Sequence, residues 1–253
     1  MVFAGAGDTL EVRPADGLSL TVAGPFAEGV PQGPENLVLR AADLLRAARG
    51  VRAGAAISLD KHLPHGGGVG GGSSDAASAI GLLARLWKAR PLTAEEALPL
   101  GADVPVCLHA PAPARMAGIG ERVDPVPALP AAALVLVSPG LRTPTPEVFA
   151  ARAAAGAGFS DPLEPPPSWT DPEALAAFAR RGGNDLTDAA LRVAPGIGDV
   201  LRSLDRTPGL LASGMSGSGS VCWGLAPDLG AAQRAAAGLG RPGWWVRAAP
   251  ILN

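Results

Sequence analysis

The spacing of apolar residues changes period several times along the chain, and each change marks an element. Near the start, "DTLEVRP" and "LSLTVAG" alternate or cluster apolar residues over strand lengths, and Gly17 between them predicts a hairpin. "ENLVLRAADLLRAAR" then sets Leu37, Leu39, Ala41, Leu44, Leu45 and Ala48 near helical spacing, with Gly50 as the stop. "AAISLDKHLP" reads as a strand that runs into "GGGVGGG". After it, "SSDAASAIGLLARLWKA" carries Ala76, Ile80, Leu83, Ala84 and Trp87 on one helical face, so a helix is expected from Ser73 or Ser74.

The second half continues in both periods. "AALVLVSPG" is a buried strand, and "TPEVFAARAAA" and "DPEALAAFARR" are helices opened by Thr or Asp with Pro in the first turn. "LTDAALRVAPGIGDVLRSL" is a helical pair broken by Pro. The end reads as strand, glycine loop and strand through "LLASGMSGSGSVCWGLAP", a helix through "DLGAAQRAAAGLG" and a last strand in "WWVRAAPIL". The prolines of "AGAGFSDPLEPPPSWTDP", Ala155 to Pro172, mark a surface loop or a linker between halves. Strands and helices alternate without the regularity of a doubly wound sheet, which points to an α+β arrangement.

Composition narrows the function classes. With 253 residues, 47% hydrophobic and 17% charged, the chain can bury a substantial core as one large domain or two smaller ones. Its 21 basic and 23 acidic residues leave a formal charge of −2, so no summed field draws nucleic acid or an anionic membrane, and neither is an expected partner. An anionic ligand must be held by local geometry. Cys107 and Cys222 form no metal-type spacing and read as buried thiols in a reducing compartment. His62, His65 and His109 likewise fit no metal pattern. There is no run of about 18 apolar residues, and Met1 is followed by no basic and then apolar leader pattern, so a cytoplasmic protein is expected.

The glycine run is the feature with chemistry in it. Glycine is poor material for helix or strand, so its concentration just before an amphipathic helix needs a local use. Without Cβ atoms, successive backbone N–H groups can approach one anion, and the helix start adds its unpaired N–H groups and positive dipole end. The run is therefore suited to phosphate. It lacks the lysine of a P-loop, and no acid closes a following strand as in a dinucleotide fingerprint, so another nucleotide-binding architecture is implied.

The stretch "PHGGGVGGGSSDAA" resembles the central motif of the GHMP kinases, in which this loop wraps the ATP phosphates. "PENLVLRAADLL", "GADVPVCLHAPAPARMAGIGE", "SPGLRTPTPEVF", "GGNDLTDAAL" and "SGMSGSGSVCWG" match in order, from about Asn36 to Trp223. The resemblance implies an α+β GHMP kinase fold of two lobes. An N-terminal sheet-and-helix ATP-binding lobe (1–130) and a C-terminal ferredoxin-like lobe (131–253) would have the active site between them. The doubled serine and "DAA" resemble one branch especially, whose acceptor is the alcohol 4-diphosphocytidyl-2-C-methyl-D-erythritol, phosphorylated at its 2-hydroxyl with ATP and Mg²⁺. A homoserine- or mevalonate-type kinase, or an inactive nucleotide-binding protein, stays open as an alternative. A monomer or weak homodimer is expected.

Residue by residue, the resemblance assigns Pro64, Gly66, Gly67, Gly68, Val69, Gly70, Gly71, Gly72, Ser73 and Ser74 to the ATP phosphates, and sets Asn36 and Lys61 against the adenine. Asp103 matches the catalytic aspartate, a carboxylate fit to take a hydroxyl proton, although a turn aspartate can also cap its own backbone. Thr145 and Phe149 match the substrate pocket, with the aromatic ring near the cytosine, although a lone aromatic on such a helix is equally at home in a core. Gly217 and Gly219 match the closing glycine motif. The family's opening "P-x-K-x-N" strand and its cytidine-contact segment have no counterpart here, since no lysine precedes Lys61 and the chain has no tyrosine. The expectation is that the sequence starts after those elements and is nearly inactive as it stands.

Overall fold

The computed structural model describes residues 1–156 and 158–253. The chain forms two compact units: Met1 with residues 7–65 and 70–125, and residues 2–6 and 66–69 with 126–253. The first strand, β1 (Phe3–Ala4), goes with the second unit.

The first unit is built on β2 (Thr9–Ala15), β3 (Leu18–Ala23), α1 (Leu37–Arg49) and β4 (Gly54–Asp60). The predicted hairpin does not form. β4 lies between β2 and β3, antiparallel to the first and parallel to the second. The physical reason is burial: Ala55, Ile57 and Leu59 of β4 are at most 2% exposed and take the centre, while Glu11, Arg13, Ser19 and Thr21 on the flanking strands stay in solvent. Helix α1 begins on an Asn36 side-chain cap and ends on Gly50 at φ 64°, the left-handed stop its position predicts. Helix α2 (Gly71–Leu86) starts two residues ahead of the serines. The two helices cover one face of the sheet through Val38, Ala41 and Leu45 on one and Ala76, Ile80 and Leu83 on the other. Short helices α3 (Ala94–Ala97) and α4 (Val104–Cys107) and a hairpin of β5 (Ala114–Ala117) and β6 (Arg122–Pro125) complete the unit.

The second unit runs β7 (Ala133–Ser138), α5 (Thr145–Ala154), α6 (Pro172–Gly182), α7 (Thr187–Val193), α8 (Ile197–Asp205), β8 (Ala212–Met215), β9 (Cys222–Ala226), α9 (Leu229–Leu239) and β10 (Trp245–Leu252). Its sheet has the order β1-β10-β7-β9-β8, antiparallel throughout. Without β1, this is a β-α-β-β-α-β succession of the ferredoxin-like kind. All six residues of β7 are buried because both faces of the sheet are covered. Ala133, Val135 and Val137 meet residues of α5, α7, α8 and α9, while Leu134 and Leu136 meet Leu175 and Ala176 of α6. The Pro-rich segment from Ala155 to Pro172 lies wholly inside this unit, so it is a loop from α5 to α6 and not a linker between halves; residue 157 within it lies outside the described residues. Among the described residues, no helix is long and apolar enough to cross a membrane.

Candidate active site

The glycine run adopts a specific backbone. Gly66, Gly68 and Gly70 have φ of 75°, 75° and 76°, while Gly67 and Val69 between them stay out of the left-handed region. Alternation of this kind turns successive N–H groups toward one concavity, an anion-binding nest. Gly70 is the N-cap of α2, and no side chain caps the helix start. The first intrahelical bond is Ser74 N–H to Gly70 O, at 3.0 Å. The N–H groups of Gly71, Gly72 and Ser73 therefore have no partner in the helix and stand at its positive end. Ser73 and Ser74, where the sequence sets the helix start, lie inside the first turn, because the cap is the left-handed Gly70.

Behind that first turn, within the same unit, lies a buried charge cluster. Lys61 is 2% exposed, and its ammonium donates to Asp75 Oδ2 at 2.9 Å and to Asp8 Oδ2. Asp8 Oδ1 also accepts from the N–H groups of His62 at 2.6 Å and Leu63 at 2.8 Å. A Cβ on Gly71 would meet Asp8 Oδ2, Leu63 Cδ1 and Lys61 Nζ, each at 3.5 Å, so the cluster underlies the start of α2. Burial pushes the Asp75 carboxyl up to about 6; the Lys61 ammonium opposes the shift and the Asp8 carboxylate adds to it. Lys61 N–H and C=O are also paired, with Ala23 O and Phe26 N–H. Asn36 caps α1 with its Oδ1 and donates from Nδ2 to Pro31 O at 2.6 Å. Both residues thus have structural work inside the unit.

Asp103 stands at the N-cap position of α4, which packs on α2. Its side chain makes no capping hydrogen bond, so it is not a turn aspartate serving its own backbone. Half-burial raises its pKa above the ordinary carboxylate value. The buried Cys107 thiol is pushed up to about 12, first by burial and then by the charges of Asp103 and Asp75, which puts both carboxylates in its neighbourhood.

In the second unit, Gly67 and Gly68 lie against the loop from β8 to β9. Val221 N–H donates to Gly67 O at 2.8 Å and Ser216 Oγ to Gly68 O at 3.0 Å. Gly217 and Gly219 in that loop have φ of 53° and 81°. Thr145 Oγ1 shares a hydrogen bond of 2.9 Å with Ser218 Oγ. Phe149 is 46% exposed on α5, while its neighbour Val148 is fully buried, so the ring is not core material. Asn184 and Ser216 lie in the matched stretches "GGNDLTDAAL" and "SGMSGSGSVCWG", with no task given them there, whereas Asp8 carries no local signal of its own. The nearest hint is Lys61, since a lysine set in an apolar strand end needs a buried partner.

The profile of the GHMP kinases N terminal domain matches residues 36–113, and that of the GHMP kinases C terminal region matches residues 169–243. A 4-diphosphocytidyl-2-C-methyl-D-erythritol kinase of Jannaschia sp. (strain CCS1) is 49% identical over 253 residues, spanning 100% of this chain and 87% of the relative. One from Paramagnetospirillum magneticum is 49% identical over 258 residues, spanning 100% and 89%. Among solved structures, a 4-(cytidine 5'-diphospho)-2C-methyl-D-erythritol kinase superposes with a TM-score of 0.73 at 36% identity, over 97% of this chain and 86% of that one. Homoserine kinase from Cytophaga hutchinsonii, at 17% identity and a TM-score of 0.65 over 98% and 87%, shares the fold. This chain belongs to the GHMP kinase family and, within it, to the 4-diphosphocytidyl-2-C-methyl-D-erythritol kinases.

Proposed function

We infer that the protein is an ATP-dependent small-molecule kinase that phosphorylates the 2-hydroxyl of 4-diphosphocytidyl-2-C-methyl-D-erythritol, a step toward isoprenoid precursors outside the mevalonate route. The observation that carries the kinase reading is the start of α2, where an alternating glycine backbone leads into a helix end that no side chain caps. That arrangement fits a polyphosphate, and the names of the relatives supply the acceptor.

ATP, when bound, supplies an activated phosphoryl group. The N–H groups of Gly71, Gly72 and Ser73 and the nest from Gly66 to Gly70 hold its anionic oxygens. Asp103, uncapped and with its pKa raised by burial, accepts the proton of the attacking hydroxyl. Thr145, Phe149, Gly217 and Gly219 take the acceptor, with the exposed Phe149 ring offering a face to the cytosine. Among the described residues, no three His, Cys, Asp or Glu gather as a metal cage. Mg²⁺, when bound, would be held by phosphate oxygens with one or two carboxylates.

The test is turnover by the full-length enzyme with ATP and a panel of alcohols. Phosphorylation of the cytidine-diphosphate-linked methylerythritol, with no turnover of homoserine or mevalonate, is expected. Equal turnover of homoserine overturns the acceptor, and failure to bind ATP overturns the kinase reading itself.

A further inference from the structure

Asn184 sits at the turn before α7 and uses its whole side-chain amide. Its Oδ1 accepts from Leu186 N–H at 2.9 Å, and its Nδ2 donates to two carbonyls, Met215 O at 2.9 Å and Gly217 O at 2.8 Å. One N–H donor on one side and two carbonyl acceptors on the other fix which way the amide points. The residue between those carbonyls is Ser216. Its N–H donates to Val221 O at 2.9 Å and its hydroxyl to Gly68 O at 3.0 Å.

The same loop restrains Gly68 by contact as well. A Cβ there would collide with Gly219 O and come within 3.1 Å of Ser216 O. With Val221 N–H on Gly67 O, two successive carbonyls of the glycine run are turned toward the loop from β8 to β9. In an alternating backbone, fixing the carbonyls on one side leaves the N–H groups free on the other, where an anion is met.

We propose that Asn184 is a positioning residue for the phosphate-binding loop, acting through the 215–217 backbone and the Ser216 hydroxyl on Gly68. The proposal rests on the reading of that loop as the nucleotide phosphate site. It gives the "GGNDL" stretch a task in ATP affinity rather than in acceptor recognition.

The test is direct binding of ADP by calorimetry, together with separate KM values for ATP and acceptor. Asn184→Asp keeps the Leu186 contact and the shape but loses both donors and turns an anionic oxygen on two carbonyls. It is expected to weaken ADP binding and raise the KM for ATP by roughly tenfold or more, with a clearly smaller rise in the acceptor KM through Gly217. Ser216→Ala, a milder change in a half-buried loop residue, is expected to act in the same direction by roughly threefold to tenfold. In the double variant the losses should fall short of their product, since both cut one relay. Unaltered ADP affinity in folded Ser216→Ala, or equal rises in both KM values, overturns the positioning role. Wild-type protein that binds no ADP overturns the phosphate-site reading beneath it instead.

Discussion

Lys61 Nζ lies 2.9 Å from Asp75 Oδ2 and donates also to Asp8 Oδ2, so one buried ammonium holds two buried carboxylates against the first turn of α2. Two anions on one cation leave a negative charge in excess when both are ionised. The cluster tolerates this because Asp8 takes two further backbone N–H bonds and Asp75 gains its proton easily.

Removing the cation should be far worse than removing one anion. Lys61→Met leaves two carboxylates facing each other with no counter-charge, a change worth about 3–5 kcal/mol for buried pairs. Asp75→Asn leaves the Lys61–Asp8 pair neutral and should stay close to wild type at pH 4, where Asp75 holds its proton. Urea unfolding midpoints compare them, and a Lys61→Met protein as stable as wild type would show that the cluster does not anchor α2.

The same cluster sets a pH dependence with a definite sign. The folded protein holds the Asp75 proton up to about 6, whereas the unfolded chain releases it near 3.8. Proton binding therefore favours the fold: the contribution is fully present below about 3.8 and is lost as pH rises through about 6, a span worth about 3 kcal/mol. Glu96 acts in the opposite sense, because Arg49 lowers it to about 2, so its contribution is lost in acid. Comparison with Asp75→Asn isolates the Asp75 part. The stability of wild type relative to that variant should fall between pH 4 and 6.5, and a flat difference refutes the assignment.

The glycines of the run should not be equivalent. At Gly68 a side chain meets Gly219 O, and φ of 75° adds roughly 1–2 kcal/mol of backbone strain. Gly71 is helical, and a Cβ there meets its neighbours at an ordinary 3.5 Å. Gly68→Ala should therefore abolish measurable ATP binding while the circular dichroism spectrum is kept. Gly71→Ala should fold normally and lose affinity only so far as its methyl group hinders the phosphate. The reverse ranking would mean that the nest is not the anion site.

How much of this was legible in the sequence depends on how local each signal is. The strand, glycine run and helix around residues 54–86 can be read directly, because apolar period and glycine content lie within one window. The sequence sets the start of α2 at Ser73 or Ser74, two or three residues late, because a left-handed Gly70 cap looks like the rest of the glycine run. The β2–β3 hairpin failed because nothing in the Gly17 turn reports that β4 inserts between the strands. "ARMA" and "RVDP" lack the alternation that announces a strand, so β5 and β6 have no signal in the sequence. The partnership of Asp8 with Lys61 exists because the register pairs Thr9 with Asp60, and register is a tertiary property.

Phe149 and Val148 are adjacent on α5 and should divide two functions between them. Val148 is 0% exposed in the core of the second unit, and its truncation to Ala should lower stability by roughly 1–3 kcal/mol. Phe149 is 46% exposed, so Phe149→Ala should leave the melting temperature within a degree or two. If the ring stacks on the acceptor's cytosine, that variant raises the acceptor KM by roughly tenfold, with the KM for ATP unchanged. A large stability loss without a KM effect would return Phe149 to a packing role.

Asp103 can be tested by separating its charge from its shape. It makes no capping bond, so Asp103→Asn removes no cap from α4, and the melting temperature should hold. If the carboxylate accepts the hydroxyl proton, kcat should fall by roughly 10²-fold or more, with little change in either KM. A second measurement bears on the same group. Burial raises its pKa, so the acidic limb of kcat/KM against pH should lie above the ordinary carboxylate range in wild type and vanish from the residual activity of Asp103→Asn. An Asp103→Asn enzyme with wild-type kcat removes the proposed base. An unchanged acidic limb in a slow Asp103→Asn enzyme would instead assign that titration to another group, with Asp75 as the carboxyl already raised to about 6.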